Sequence, residues 1–341
     1  MPGGRRLIAA ITLLALPACA PASGSGPRPP KVRVGYSPNL THAPAIAGIE
    51  RGLFAKEIGE RGRLDTRRFN AGPDAVQALF SKALDIAYMG PNPAINAYAQ
   101  SDGKAIRIIA GAVSGGAGLV VRPGIRSADD LRGATLSSPQ LGNTQDVALR
   151  TWLESKGLRV TRSGPGDASI RPMPNAQIFE AFRDRQIDGA WVPEPWLARM
   201  LVEGGGTLLV DEADLWPNGR FVTTHIVVRT AFLRNHPGLV AAFLRGHLAA
   251  IDYLRTGGEP ARAIVEAAIK RSTGAVLPAE VMHAAWGTIT LTPDPLPHSL
   301  RQDAADAHEV GLLDRVRLEG IYDLTILNRL LKERGQEAIA A

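Results

Sequence analysis

Short apolar segments alternate with helical ones along this chain, and a polar turn joins each pair. Val32-Arg33-Val34-Gly35-Tyr36 reads as a strand, and a polar turn leads from it into the helical pattern of His42 to Arg51, which Gly52 closes. The unit recurs. Val76, Leu79, Phe80, Ala83 and Leu84 stand at helical spacing ahead of the apolar run Ile86-Ala87-Tyr88-Met89, and Pro91-Asn92-Pro93 opens the next helix, through about Gln100. Strands are expected over Ile106–Ala112 and Leu119–Arg122, and Ser127-Ala128-Asp129-Asp130 has the spacing of a capping box. A second group follows: strand Ala134–Ser137, helix Thr144–Lys156, helix Ala176–Arg185, strand Asp188–Val192 and helix Pro195–Glu203. After the strand-like Phe221–Val228, helices are expected over Pro237–Leu254, Pro260–Ser272, Pro278–Trp286 and Leu324–Glu333. Such alternation specifies an α/β fold with largely parallel sheets, and 341 residues suit two lobes of roughly 100 to 200 residues each.

The N-terminus reads differently. Arg5 and Arg6 precede the apolar run Leu7–Leu16, which has the length of a signal h-region and is too short to span a bilayer. Leu16-Pro17-Ala18-Cys19 resembles a bacterial lipobox, and Cys19 is the chain's one cysteine, so no intramolecular disulfide can form. Lipidation of Cys19 is the favoured expectation; Ala18-Cys19-Ala20 also fits ordinary cleavage after Ala20. The expected division is therefore a signal peptide over 1–18 and a lipidated Pro/Gly/Ser-rich tether over 19–30, with the folded part beginning near Lys31.

Several classes of function find no support. The 39 basic residues exceed the 33 acidic ones by a net +6, but they are scattered, and only 5% of residues are aromatic, so a nucleic-acid surface is not expected. G-x-x-x-x-G-K-[ST], G-x-S-x-G and H-E-x-x-H are all absent from the sequence. The glycine cluster Gly111–Gly118 opens no helix, as a dinucleotide fingerprint must. Glu280 and His283 share a helical face without a third ligand, so neither a metal nor a cofactor is expected.

Four polar turns each follow a strand and feed a helix: Asn39-Leu40-Thr41-His42, Gly90-Pro91-Asn92-Pro93, Gln140–Gln145 and Val192-Pro193-Glu194-Pro195. In an open α/β sheet such turns gather at the carboxyl ends of the strands, and helix N-termini there offer unpaired N–H groups to an anion. Any one of them serves equally well as an ordinary N-cap. Their number in one chain is what invites a binding site.

Gly35-Tyr36-Ser37, Asn70-Ala71-Gly72, Ser127–Gly133, Pro139–Asp146 and Ile187–Trp196 (IDGAWVPEPW), taken in order, resemble the nitrate/sulfonate/taurine family of ABC-transporter substrate-binding proteins. The resemblance runs from about Val32 to the region of Trp286. It implies a type II periplasmic-binding-protein fold, two α/β lobes with a hinge and a central cleft, with residues 31–119 and 223–341 in lobe one and 120–222 in lobe two. It also implies the ligand residues: Asn39, Thr41, His42, Gly90, Pro91, Asn92, Asn143, Thr144, Gln145, Trp191 and Glu194, with Thr223 and Thr224 at the return to lobe one. None of these is a lysine or arginine, which agrees with anion capture by backbone N–H groups, and Asp146 in a first helical turn is the departure to weigh.

The implied protein is a monomeric receptor at the outer face of the cytoplasmic membrane or in the periplasm. It performs no chemistry and hands a small oxyanion, an aliphatic sulfonate or taurine, to permease and ATPase subunits. Two alternatives stay open: the same scaffold for nitrate, bicarbonate or a pyrimidine precursor, where Trp191 stacks and Glu194 pairs with an amine, and a cofactor-biosynthesis enzyme on a similar fold.

Overall fold

The computed structural model describes residues 29–162, 166–274 and 276–341, so Cys19, the signal segment and most of the tether lie outside the described residues. The first half runs β1 (Lys31–Tyr36), α1 (Ala43–Glu50), α2 (Leu53–Ile58), β2 (Arg63–Arg68), α3 (Gly72–Phe80), β3 (Ile86–Met89), α4 (Pro91–Gln100) and β4 (Ile106–Gly115). A second sheet is then built from β5 (Ala117–Val121), β6 (Thr135–Ser137), α5 (Thr144–Ser155), β7 (Ser169–Ile170), α6 (Asn175–Arg183), β8 (Gly189–Pro193), α7 (Trp196–Val202) and β9 (Thr207–Asp211). The return strand β10 (Val222–Arg229) precedes α8 (Thr230–Asn235), α9 (Pro237–Thr256), α10 (Gly258–Thr273), α11 (Ala279–Gly287), β11 (Ile289–Leu291), α12 (Pro297–Glu309) and α13 (Thr325–Glu333).

The strand orders are β11-β4-β10-β3-β1-β2 and β7-β6-β8-β5-β9. Within them β1 pairs in parallel with β2 and β3, and β6 with β7 and β8. The strands that carry the chain between the sheets do not follow that rule. β10 is antiparallel to β3 and β4, and β5 is antiparallel to β8 and β9, so the sheets are mixed where largely parallel ones were expected. A crossing strand enters each sheet from the other one, against the direction set by the β-α-β units.

The chain changes sheet at Gly115-Gly116, and β5 already belongs to the second sheet from Ala117, ahead of the Leu119 boundary drawn from sequence. Both glycines have left-handed φ, 80° and 75°, and a Cβ on Gly115 would stand 2.6 Å from the Thr288 carbonyl oxygen. Only glycine fits that crossing without strain.

In the first half, β1, β3, β4 and β10 bury Val34, Ile86, Ile109 and Ile226 against α2 and α9, where Phe54 and Phe243 stack with centroids 4.7 Å apart. Fully buried Asp85 ties three strands together. It accepts from Arg33 Nε (2.7 Å) and Arg229 Nη2 (2.6 Å), and from the Arg33 N–H. The second sheet buries Leu119, Leu136 and Trp191 beneath α5 on one face, and Val120, Ala190 and Val192 beneath α6 and α7 on the other. Val147 of α5 packs with Leu300 and Ala304 of α12, so the halves meet through apolar contact as well. Among the described residues no helix is long and apolar enough to cross a membrane.

Candidate functional site

Helix starts from both sheets converge on one small cavity, of about 40 Å³, between the two halves. Asn39, Thr41 and His42 lead into α1; Asn70, Ala71 and Gly72 open α3; Gly90 opens α4; Asn143, Thr144 and Gln145 open α5; Asn175 opens α6. Among the described residues no lysine, arginine, aspartate or glutamate lines it.

What remains is a set of neutral donors. The N-cap residues of α1, α3, α4 and α6 supply no side-chain bond to the first turn. Asn143 Oδ1 caps α5 only at the Asp146 N–H (3.0 Å), which leaves the Thr144 and Gln145 N–H groups uncapped. Those N–H groups carry the positive end of each helix dipole. Thr144 Oγ1, a hydroxyl that can donate, is buried without a partner among the described residues; Asn175 Oδ1, an acceptor, is too. His42 Nδ1 accepts the Ser37 N–H (3.2 Å), which assigns its proton to Nε2, and burial pushes its pKa down to about 3. His42 is thus a neutral donor at every physiological pH.

Direct bonds clasp the rims. The Leu40 N–H donates to the Glu194 carbonyl (3.1 Å), Trp196 Nε1 to Asn39 Oδ1 (3.1 Å), and Gln140 Nε2 to Asp74 Oδ1 (3.1 Å). Each joins an element of the first half to one of the second.

The match to the NMT1-like family extends over residues 25–269, more than two thirds of the chain. The chain belongs to the NMT1-like family. Its similarity to the taurine-binding periplasmic protein of Escherichia coli is 29% identity over 202 residues, 59% of this chain and 60% of that protein. The chain spans about three fifths of the length of the first relatives it matches. Among solved structures, the alkanesulfonate-binding protein of Xanthomonas axonopodis bound to MOPS aligns with TM-score 0.68 and 19% identity, over 85% of this chain and 96% of that one. The nitrate-binding protein of Synechocystis aligns with TM-score 0.70 and 17% identity, over 90% and 89%. The resemblance read from the sequence and the periplasmic-binding-protein fold it implied are both borne out.

In this NMT1-like chain eight of the thirteen residues implied by resemblance line the cavity: Asn39, Thr41, His42, Gly90, Asn143, Thr144, Gln145 and Thr223. Thr223 donates its hydroxyl proton to the Gly115 carbonyl, so only its lone pairs are free. Pro91, Asn92, Trp191, Glu194 and Thr224 do not line it. Asn92 lies behind the helix start and donates to the Asp303 carbonyl at 3.1 Å. Thr224 is fully buried in β10.

Trp191, implied as a ligand residue and expected to stack on the solute only in the alternative reading, is fully buried in β8, where its Nε1 donates to Glu212 Oε2 at 2.7 Å. Glu194 turns away to accept from the Ala198 N–H of α7 (3.1 Å) and from Thr288 Oγ1 (3.1 Å), and burial raises its pKa to about 7. Asp146 also points away. Its carboxylate takes Ser138 Oγ, the Gly142 N–H and Arg150 Nε, all within 3.0 Å, and so pins the loop ahead of α5.

Sequence reasoning assigned no ligand role to Asn70, Gly72 or Asn175. Their signal was a proline beside a helix start, Gly72-Pro73 and Pro174-Asn175, the same signal that Gly90-Pro91 gave.

Proposed function

We propose that this protein is the solute-capturing component of an ABC importer, and that its solute is a compact oxyanion of the sulfonate class carrying no ammonium group. The convergence of five helix N-termini on a cavity free of charged side chains carries the reading. Donors fixed before the solute arrives hold an anion without reorganisation, and closure of the two halves excludes water around it. With Glu194 and Asp146 both turned elsewhere, the ammonium of an aminosulfonate meets no carboxylate. The taurine-binding and alkanesulfonate-binding likenesses support the sulfonate class.

A second reading, nitrate or bicarbonate, is favoured by size. At about 40 Å³ the cavity is small, which suits a compact head better than a long-tailed solute. A sulfonate head fits with a short tail or none.

Thr144 offers the test. Thr144→Ala removes the hydroxyl and keeps the N–H; Thr144→Pro removes both at a position where proline suits a helix start. The proline variant is expected to bind the anion about 1–3 kcal/mol more weakly than the alanine variant, the magnitude of one charge-assisted bond. Equal affinities in two folded variants would show that α5 does not face the anion.

The chain is exported, and Cys19 of its lipobox-like segment carries lipid in this reading. Intact mass of the mature protein tests the anchor, and an unmodified N-terminus at Pro21 would contradict it.

A further inference from the structure

Asp146 stands in the first turn of α5, next to the Thr144 and Gln145 N–H groups at the anion cavity, where a carboxylate works against an anion. It does not line that cavity itself. Asp146 is fully buried, and its partner Arg150, one turn on, is buried with it. The cost of taking such a pair out of water rivals the attraction within it, so stability alone does not account for its place here. What the carboxylate holds does.

It grips the loop ahead of α5 at both ends. Asp146 Oδ1 accepts from Ser138 Oγ (2.7 Å), and Oδ2 accepts from the Gly142 N–H (2.9 Å) and from Arg150 Nε (3.0 Å). The Asp146 N–H donates to Asn143 Oδ1 (3.0 Å), so Asn143, Thr144 and Gln145, which line the cavity, are enclosed between bonds made by one residue. The hold extends to the next helix. The Ser138 carbonyl accepts the Met173 N–H (2.9 Å), and Met173 leads through Pro174 into Asn175, where α6 starts at the same cavity. Arg150 Nη1 donates to the Thr161 carbonyl (2.9 Å), which fixes the guanidinium where it offsets the Asp146 charge.

We propose that Asp146 is the positioning residue for the anion donors of the second half, aiming the N–H groups of α5 and setting the approach of α6, with Arg150 neutralising its charge. The inference rests on the anion reading above. Its consequence runs against simple electrostatics. Asp146→Asn removes a negative charge beside the cavity-lining Gln145 and leaves the Arg150 cation unmatched, so charge alone would tighten anion binding. The amide, however, sets an NH₂ against donors that a carboxylate oxygen now accepts, and the loop is released.

The test is calorimetric titration of the full chain with nitrate, bicarbonate and methanesulfonate, in the parent and in Asp146→Asn, with folding checked by circular dichroism. The anion bound by the parent is expected to bind at least about tenfold more weakly to Asp146→Asn. Unchanged or tighter binding by the folded variant overturns the proposal. Ser138→Ala removes one bond to the carboxylate and leaves both charges in place; it is expected to weaken binding several-fold, and if Asp146→Asn does not fold, parent-like binding by Ser138→Ala overturns the proposal. Damage unrelated to α5 would be felt equally with or without its first donor, so Asp146→Asn is repeated on Thr144→Pro. There the further loss is expected to shrink to about threefold or less, and an equal loss in both backgrounds overturns the proposal. A parent that binds none of the three anions removes the anion reading and this inference with it, whereas a parent that binds and an Asp146→Asn variant that binds equally well remove this inference alone.

Discussion

Gly90 and Thr144 face each other across the cavity so closely that a Cβ built on Gly90 would lie 2.1 Å from Thr144 Oγ1. Gly90 has an ordinary extended backbone, φ −67°, so its lack of a side chain serves the approach of the two helix starts and not a turn. Gly90→Ala is expected to fold normally and to lose at least about tenfold in anion affinity, because the hydroxyl must leave its place or the halves must part. Adding Thr144→Ala relieves the collision and is expected to recover part of the loss by calorimetry. A single Gly90→Ala variant that binds like the parent contradicts the geometry.

The neutrality of His42 has a pH consequence. A histidine near its usual pKa would become cationic below about pH 6.5 and strengthen anion binding there. With His42 held at about 3, affinity for the solute is expected to stay flat between pH 5.5 and 8. A rise toward acid pH that disappears in His42→Gln would mean that the ring titrates in the cavity.

Glu194 reports on stability and not on ligand choice. Its folded-state pKa, about 7, lies above its unfolded value, so the folded state holds the proton more tightly. The stability this contributes is present at low pH and is lost as pH rises from about 4.5 through 7. Glu194→Gln is therefore expected to gain about 1–3 kcal/mol relative to the parent between pH 5 and pH 8, since each tenfold difference in proton affinity between the folded and unfolded chain is worth about 1.4 kcal/mol. Thermal unfolding of both proteins across that range measures it. Taking the difference removes the buried histidines His225 and His247, both lowered to about 4, whose contribution runs the other way. The same variant is expected to leave the preference between amine-bearing and plain sulfonates unchanged.

Asp85 separates fold from function. Replacing it by Ala leaves Arg33 and Arg229 without their shared partner beneath β1, β3 and β10, far along the strands from the cavity. A loss of about 3 kcal/mol in unfolding free energy is expected with anion affinity intact, since both arginines keep some contact with water. Denaturant unfolding and calorimetry on one preparation test both halves of that statement.

Elements that bury a periodic face were legible in the sequence, and elements at the edge were not. α4, α5 and α9 start where Pro91, Thr144 and Pro237 say they should. β2 (RLDTRR) is an edge strand with no apolar alternation, held by backbone pairing to β1, and nothing in its composition marks it. α12 (PHSLRQDAADAHE) buries only Ser299, Leu300, Asp303, Ala304 and Ala307, a stripe too polar to read as helix before its partner α5 is known. At the site, the turn residues were legible because helix starts have a chemical signature. The side-chain directions were not. Trp191 stands within β8 and Glu194 in the turn after it, yet Glu212, some 20 residues on, and Thr288, in the C-terminal third, decide where they point.

The central claim is capture of a compact, amine-free oxyanion by uncharged donors. Calorimetric titration of the wild-type protein with nitrate, bicarbonate, methanesulfonate, octanesulfonate and taurine addresses it directly. Saturable one-to-one binding of at least one of the first three is the expected result, with taurine and octanesulfonate at least about tenfold weaker, a difference of about 1.4 kcal/mol. Taurine or octanesulfonate as the tightest ligand, or no saturable binding of any of the five, would contradict it.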